Sequence, residues 1–230
     1  MLIQLQNEFE ASGTCAVGVL LVEKHCFTFN LGDSRCVIGS SKTDNNIANL
    51  SMKTAYQMSV DHKVNREDEK KRIESSNGVV IHEHGGYLGP PRVYPMNDEG
   101  PGLAVSRSLG DLILHNHGVI SEPEITHKEI DSEDVFIVIG SDGIWDVMNS
   151  SEVVGFVFDK IEKKLKEEMI CELLVNEART RWDFINQFKM KIQSDKTKET
   201  LVKSASLKQK KVCTIDDITA IVCFLKNDSP

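Results

Sequence analysis

Residues 134–140, DVFIVIG, form a strongly apolar run that stops at Ser141-Asp142-Gly143. A run this short, rich in β-branched residues and closed by turn formers, reads as a buried strand. It therefore puts an acid at the rim of a hydrophobic layer. Asp216 and Asp217 directly precede a second such run, ITAIVCFL at 218–225. If the two strands pair antiparallel, the end of one lies beside the start of the other, and Asp142 and Asp216 meet at one sheet edge. Asp146 follows Asp142 by four residues, after a glycine that permits a tight turn, and can point back to that edge. Asp61, in SVDHK, also closes an apolar segment. Clustered carboxylates repel one another unless they are protonated or neutralised. Hard divalent cations such as Mg²⁺ or Mn²⁺ are their natural partners. An Asp at a strand end is equally an ordinary turn former or helix cap, and the pattern alone leaves both readings open.

The rest of the chain predicts a mixture of strands and grouped helices. Residues 14–22 read as a buried strand, 26–30 as a second and 35–39 as a third, with a turn at 31–34. Residues 40–54 read as a polar loop and 56–60 as a short strand. A helix is expected to open at Asn65 as its cap, with Glu67, Asp68 and Glu69 at its positive end. A strand at 79–81 follows. Residues 82–102 hold five Gly and four Pro and read as an irregular loop, and 103–109 as a turn or two of helix. Val154, Val157, Phe158, Ile161 and Leu165 recur at helical steps from about Ser151, and a second helix is expected over 171–185. Residues 194–211 carry six Lys and no aromatic, which predicts an exposed Lys-rich loop. The order of elements indicates an α+β class and a single domain over 1–230.

Composition narrows the function. The 27 basic against 35 acidic residues give a net charge of −8, which argues against a general nucleic-acid binder. Six cysteines lack any C-x-x-C pair, so neither a zinc site nor a redox pair is expected. Cys15 and Cys223 sit in apolar runs and read as small core residues. This usage suits a reducing compartment. No signal peptide or bilayer-length apolar run is visible, so a cytoplasmic or nuclear location with no membrane partner is expected. The sequon at Asn149 reads as chance. The His82-Glu83-His84 run reads as part of a solvated loop rather than as a metal site.

Seven segments, in one order, resemble the metal-dependent protein phosphatase family of type 2C. They are SGTCAVGVLL (12–21), NLGDSRCVIG (30–39), SVDHKVNREDEKKRIESSNGVV (59–80), GLAVSRSLGD (102–111), GVISEPEI (118–125), FIVIGSDGIWDVM (136–148) and DDITAIVCF (216–224). The resemblance implies a sandwich of two antiparallel β-sheets flanked by helices, with metals at one end. It implies Asp142 and Asp216 as ligands of a pair of Mg²⁺ or Mn²⁺ ions, and Asp61 and Asp146 as ligands, with Asp142, of a third. It implies hydrolysis of phosphoserine and phosphothreonine in protein substrates by a water bridging two metals roughly 3.5–4 Å apart, with no cysteine nucleophile. Asp33, Arg35, Arg107 and Asp111 read as structural support, Asp33 as a turn residue bonding nearby N–H groups and Arg107 with Asp111 as a pair holding the loop beneath the site. A monomer is expected.

Two departures stand out. Asp217 occupies the place of the family's Asn. The family's Asp-Gly-His-Gly motif, which supplies a bridging ligand and a general-acid His, does not occur, and only eleven residues precede Ser12. The chain is therefore expected to be the C-terminal two-thirds of such a domain, N-terminally incomplete, with little activity and reduced stability alone. The alternative is a catalytically dead pseudophosphatase that binds phosphoproteins or regulators.

Overall fold

The computed structural model describes residues 11–43, 51–82, 90–96, 102–200 and 217–225. Asp216, residues 83–86 of the His82 loop and residues 201–211 of the Lys-rich segment lie outside them. The chain divides into two compact units, Met1–Ile139 with Cys223–Pro230, and Gly140–Val222.

The first unit is built on strands. In chain order these are β1 (Gly13–Thr14), β2 (Ala16–Val22), β3 (His25–Leu31), β4 (Arg35–Thr43), β5 (Ser51–Gln57), β6 (Gly78–Ile81), β7 (Arg92–Pro95), β8 (Leu109–Gly110), β9 (Glu124–Glu129) and β10 (Asp134–Gly140). The last strand, β11 (Ala220–Phe224), completes a four-stranded sheet ordered β11-β10-β4-β5, and a second sheet runs β2-β3-β9. Cys26, Cys36, Ile38, Met58 and Ile137 form the core between these sheets, with Val17, Val19, Ile139 and Leu225 packed against it. This is an α+β sandwich, as the run of short apolar segments predicts. A second cluster, Val64, Ile73, Val93, Leu114 and Val119, seats helix α1 (Glu67–Ser75) on the β6-β7 ribbon and a 3₁₀ helix (Leu112–His117).

The second unit contains α2 (Asp142–Trp145), α3 (Ser150–Glu162) and α4 (Glu167–Thr200). Val153, Val154, Val157 and Phe158 of α3 and Ile170, Leu174 and Ala178 of α4 are buried at helical spacing. Asn149 caps α3: its side chain accepts from the Glu152 N–H, while Glu152 accepts from the Asn149 N–H. That reciprocal box gives Asn149 a structural reason independent of any sequon.

Several elements differ from the sequence expectation. Residues 14–22 are not one buried strand: β1 and β2 separate at Cys15, and Leu20 and Val22 are exposed because β2 is an edge strand with one open face. Cys15 is half-buried and Cys223 exposed, while Cys26 and Cys36 are the core cysteines. Residues 40–43 and 51–54 are strand rather than loop, because β4 runs on to Thr43 and pairs with β5, an edge strand that can be polar on both faces. Residues 92–95 pair with β6, and their signal is masked by the preceding Pro90 and Pro91. Residues 103–109 are extended, not helical, because their backbone bridges to Lys63, Val93 and Ile120. Arg66, not Asn65, stands at the start of α1 and makes no side-chain cap. Helix α4 runs on through residues 194–200, whose Lys, Glu and Asp-Thr content lacks any Gly or Pro to stop it. Among the described residues, no helix is long and apolar enough to cross a membrane.

Candidate metal centre

Asp142 is the first residue of α2, directly after β10 and Ser141. Two backbone bonds, Ser141 N to Thr219 O at 3.0 Å and Leu225 N to Val135 O at 2.9 Å, give β10 and β11 an antiparallel register. The end of β10 therefore lies beside the start of β11. Ser141 stitches the two together: its Oγ donates to the Asp217 carbonyl at 2.9 Å and accepts from the Thr219 N–H at 3.0 Å. Gly143 follows in contact with the same segment. A Cβ built on it would lie 2.5 Å from the Asp217 carbonyl oxygen. On its other side the Gly143 carbonyl accepts from the Trp182 indole at 2.7 Å, and Trp145 donates to the Gly140 carbonyl at 2.7 Å. Asp142 is half-buried and Asp146 exposed. Asp146 closes α2 through its N–H, which donates to the Asp142 carbonyl at 2.9 Å. Asp142 and Asp146 carry carboxylate oxygens, the donor type that suits a hard divalent cation.

The remaining predicted residues belong to the first unit. Asp61 is gripped by Arg35 in a two-point pair, Nε to Oδ1 and Nη2 to Oδ2, both at 2.8 Å. Asp33 is buried and takes the Lys63 ammonium on one oxygen and the Cys15 thiol on the other at 3.3 Å. The turn before it needs Gly32, whose φ is +102° and where a Cβ would meet Cys15 Sγ at 2.2 Å. Arg107 and Asp111 do not pair. Arg107 turns to Glu69 and Glu124, and Asp111 packs its carboxyl against Gly13 and donates its N–H to the Ser12 carbonyl. Arg107 meets instead the fully buried Glu69 carboxylate, at 2.7 Å.

Glu69 is fully buried in α1 and accepts from Arg72, Arg107, Arg66 and the Ser106 hydroxyl. Burial would raise its carboxyl pKa, but hydrogen bonds from Arg72, Arg107 and Ser106 outweigh that and hold it far below the usual carboxylate range. Asp68, Glu69 and Glu124 approach closely enough to hold a cation. Arg66 already donates to all three, so guanidinium groups meet that charge. His62 lies next to Asp61 with no exposure. Its Nδ1 accepts from the Gly32 N–H at 3.0 Å, which leaves the ring hydrogen on Nε2, 3.3 Å from Glu124. Burial first, and then the Arg107 charge, lower its pKa. The Cys36 thiol is pushed up to about 12 by burial, so it is no nucleophile.

Sequence reasoning missed Glu69, Trp182 and Ser141 as organising residues. Glu69 did leave a signal: it lies four residues before Ile73, on the apolar face of α1, and three residues from Arg on either side.

The protein phosphatase 2C family model matches residues 2–182. The chain belongs to that family. It is 35% identical over 173 residues to Probable protein phosphatase 2C 12 of Oryza sativa subsp. japonica, covering 74% of this chain and 42% of the relative. It is 36% identical over 171 residues to Probable protein phosphatase 2C 52 of Arabidopsis thaliana, covering 74% of this chain and 34% of the relative. The chain thus spans less than half the length of these relatives. Among solved structures, a serine-threonine phosphatase 2C from Toxoplasma gondii matches with a TM-score of 0.70 at 20% identity, over 98% of this chain and 62% of that one. A C. elegans sex determining protein matches with a TM-score of 0.63 at 19% identity, over 97% and 43%. These structural likenesses establish the fold.

Proposed function

We propose that this chain carries metal-binding machinery of a protein serine/threonine phosphatase acting on phosphoserine and phosphothreonine in protein substrates. Asp142 and Asp216 hold two Mg²⁺ or Mn²⁺ ions in this reading, and Asp61 and Asp146 contribute with Asp142 to a third. The observation that carries it is the stitching of residues 141–143 to 217–219 by Ser141. Asp142 and Asp216 each adjoin that contact in sequence, Asp142 through Gly143 and Asp216 through Asp217.

Bound divalent cations supply charge neutralisation for the phosphoryl oxygens and make a water more acidic. The chain's own residues supply placement. Trp182 fixes the Gly143 carbonyl, and with it the start of α2 from which the Asp142 carboxylate extends. Arg35 fixes the plane of the Asp61 carboxylate, and each oxygen so engaged retains a second lone pair for a cation. The exposed Asp146 lies one helical turn beyond Asp142 and completes the oxygen set. The protein acts as a monomer, without nucleic acid, in the cytoplasm or nucleus. Calorimetric titration with Mn²⁺ tests the ligand assignment. Wild type should bind, Asp142→Asn should bind at least about tenfold more weakly, and equal affinity would remove Asp142 from the ligand set.

A further inference from the structure

The open face of the β2-β3-β9 sheet carries two imidazoles in contact. His25 Nδ1 and His127 Nε2 lie 3.0 Å apart. The register sets Phe27 opposite His127 and His25 opposite Glu129, so all four residues share one face. The Phe27 ring stacks on His127, with centroids 4.6 Å apart and planes at 24°, which holds the imidazole in its present orientation. β3 is the central strand of its sheet and pairs on both sides, so the backbone under the pair is fixed. His127 is exposed and His25 half-buried, and a solvated ion can reach both. Neither has a part in the phosphatase reading.

We propose that His25 and His127 form a two-imidazole site for a borderline-soft divalent ion, Zn²⁺ or Cu²⁺, whose remaining positions are filled by water. Imidazole nitrogens suit these ions, whereas Mg²⁺ and Mn²⁺ prefer the oxygen sets described above. A tetrahedral Zn²⁺ with Zn–N bonds of about 2.0–2.1 Å places two ligand nitrogens roughly 3.3 Å apart. The observed pair needs to open by only a few tenths of an ångström. At present one of the two nitrogens must carry the hydrogen between them. On binding, that hydrogen moves to the remote nitrogen of its own ring, which frees both lone pairs with no net proton loss.

The test is a calorimetric Zn²⁺ titration of the 230-residue chain in saturating Mg²⁺, which keeps hard oxygen sites filled. Saturable binding is expected, weakened about tenfold or more in His25→Asn and in His127→Asn. His82→Asn, which removes an exposed histidine outside this sheet, should leave the affinity unchanged. The electron paramagnetic resonance spectrum of the Cu²⁺-loaded wild type needs no variant and should show coupling to two imidazole nitrogens. No Zn²⁺ binding, equal affinity in wild type and His25→Asn, loss in His82→Asn, or coupling to fewer than two nitrogens would each overturn the site.

Discussion

Gly143 lies against the Asp217 backbone so closely that a Cβ would stand 2.5 Å from the Asp217 carbonyl oxygen. Backbone cannot yield as a flexible side chain can, so Gly143→Ala must push residues 217–219 away from the start of α2. The expected cost is about 1–3 kcal/mol of stability, together with weaker Mn²⁺ binding. Urea denaturation and Mn²⁺ titration of the same variant check both. Wild-type values in the two measurements would mean that this contact places nothing.

Glu69 offers a sharper stability test. Replacing it with Gln leaves Arg107 buried beside a neutral partner. Removing one partner of a buried ion pair costs about 3–5 kcal/mol, and Glu69→Gln should lose that much in chemical denaturation. A loss below about 1 kcal/mol, the range of exposed pairs, would show that the network is ornamental to folding.

The Arg35 guanidinium bridges both oxygens of Asp61, a geometry that a lysine ammonium cannot reproduce. Arg35→Lys should therefore cost about 1–3 kcal/mol and alter the Mn²⁺ concentration needed for phosphate release. In the proposed ligand set Asp61 touches one ion rather than the catalytic pair, so Asp61→Asn should lower the rate less than Asp142→Asn. The reverse order of rates would exchange their roles.

His62 sets a pH dependence. Its folded pKa lies below the ordinary value of 6.5, so on acidification the unfolded chain takes up the proton first. Stability from this group is complete above about pH 6.5 and falls as the pH drops below it. Glu69, with its depressed carboxyl pKa, begins to contribute acid sensitivity only below its ordinary value of 4.5. Melting temperatures should therefore fall between pH 7.5 and 5.5, and His62→Gln should flatten that fall. An unchanged slope in the variant would place the sensitivity elsewhere.

The central sandwich strands, and Asp142 at the end of β10, were legible because burial writes a strong local pattern. The run at 134–140 is buried along most of its length, and its pairing with 218–225 follows from apolar character at both. Most of edge strand β5, before residue 56, and all of β7 were illegible because one or both of their faces meet water and carry no period. The extended 103–109 segment was misread because its geometry is imposed from outside, by Glu69, His62 and Val93, which are distant in sequence. Asp61 was legible as an acid at the end of an apolar segment. Its Arg35 partner was read as structural from a different segment, GDSR at 32–35, and nothing local says that the two meet across 26 residues. Trp182 left no signal at all: its indole matters only because α4 passes the Gly143 carbonyl.

The central claim is that Asp142 holds a catalytic divalent ion in a phosphatase. The direct measurement is Mn²⁺-dependent release of phosphate from a phosphothreonine peptide by the full-length protein, with and without chelator, for wild type and Asp142→Asn. The account predicts chelator-sensitive release by the wild type and a loss of about a hundredfold or more in the variant, the scale on which removal of one electrostatic stabiliser acts. Near wild-type turnover in Asp142→Asn, or phosphopeptide binding with no turnover in either protein, would contradict it.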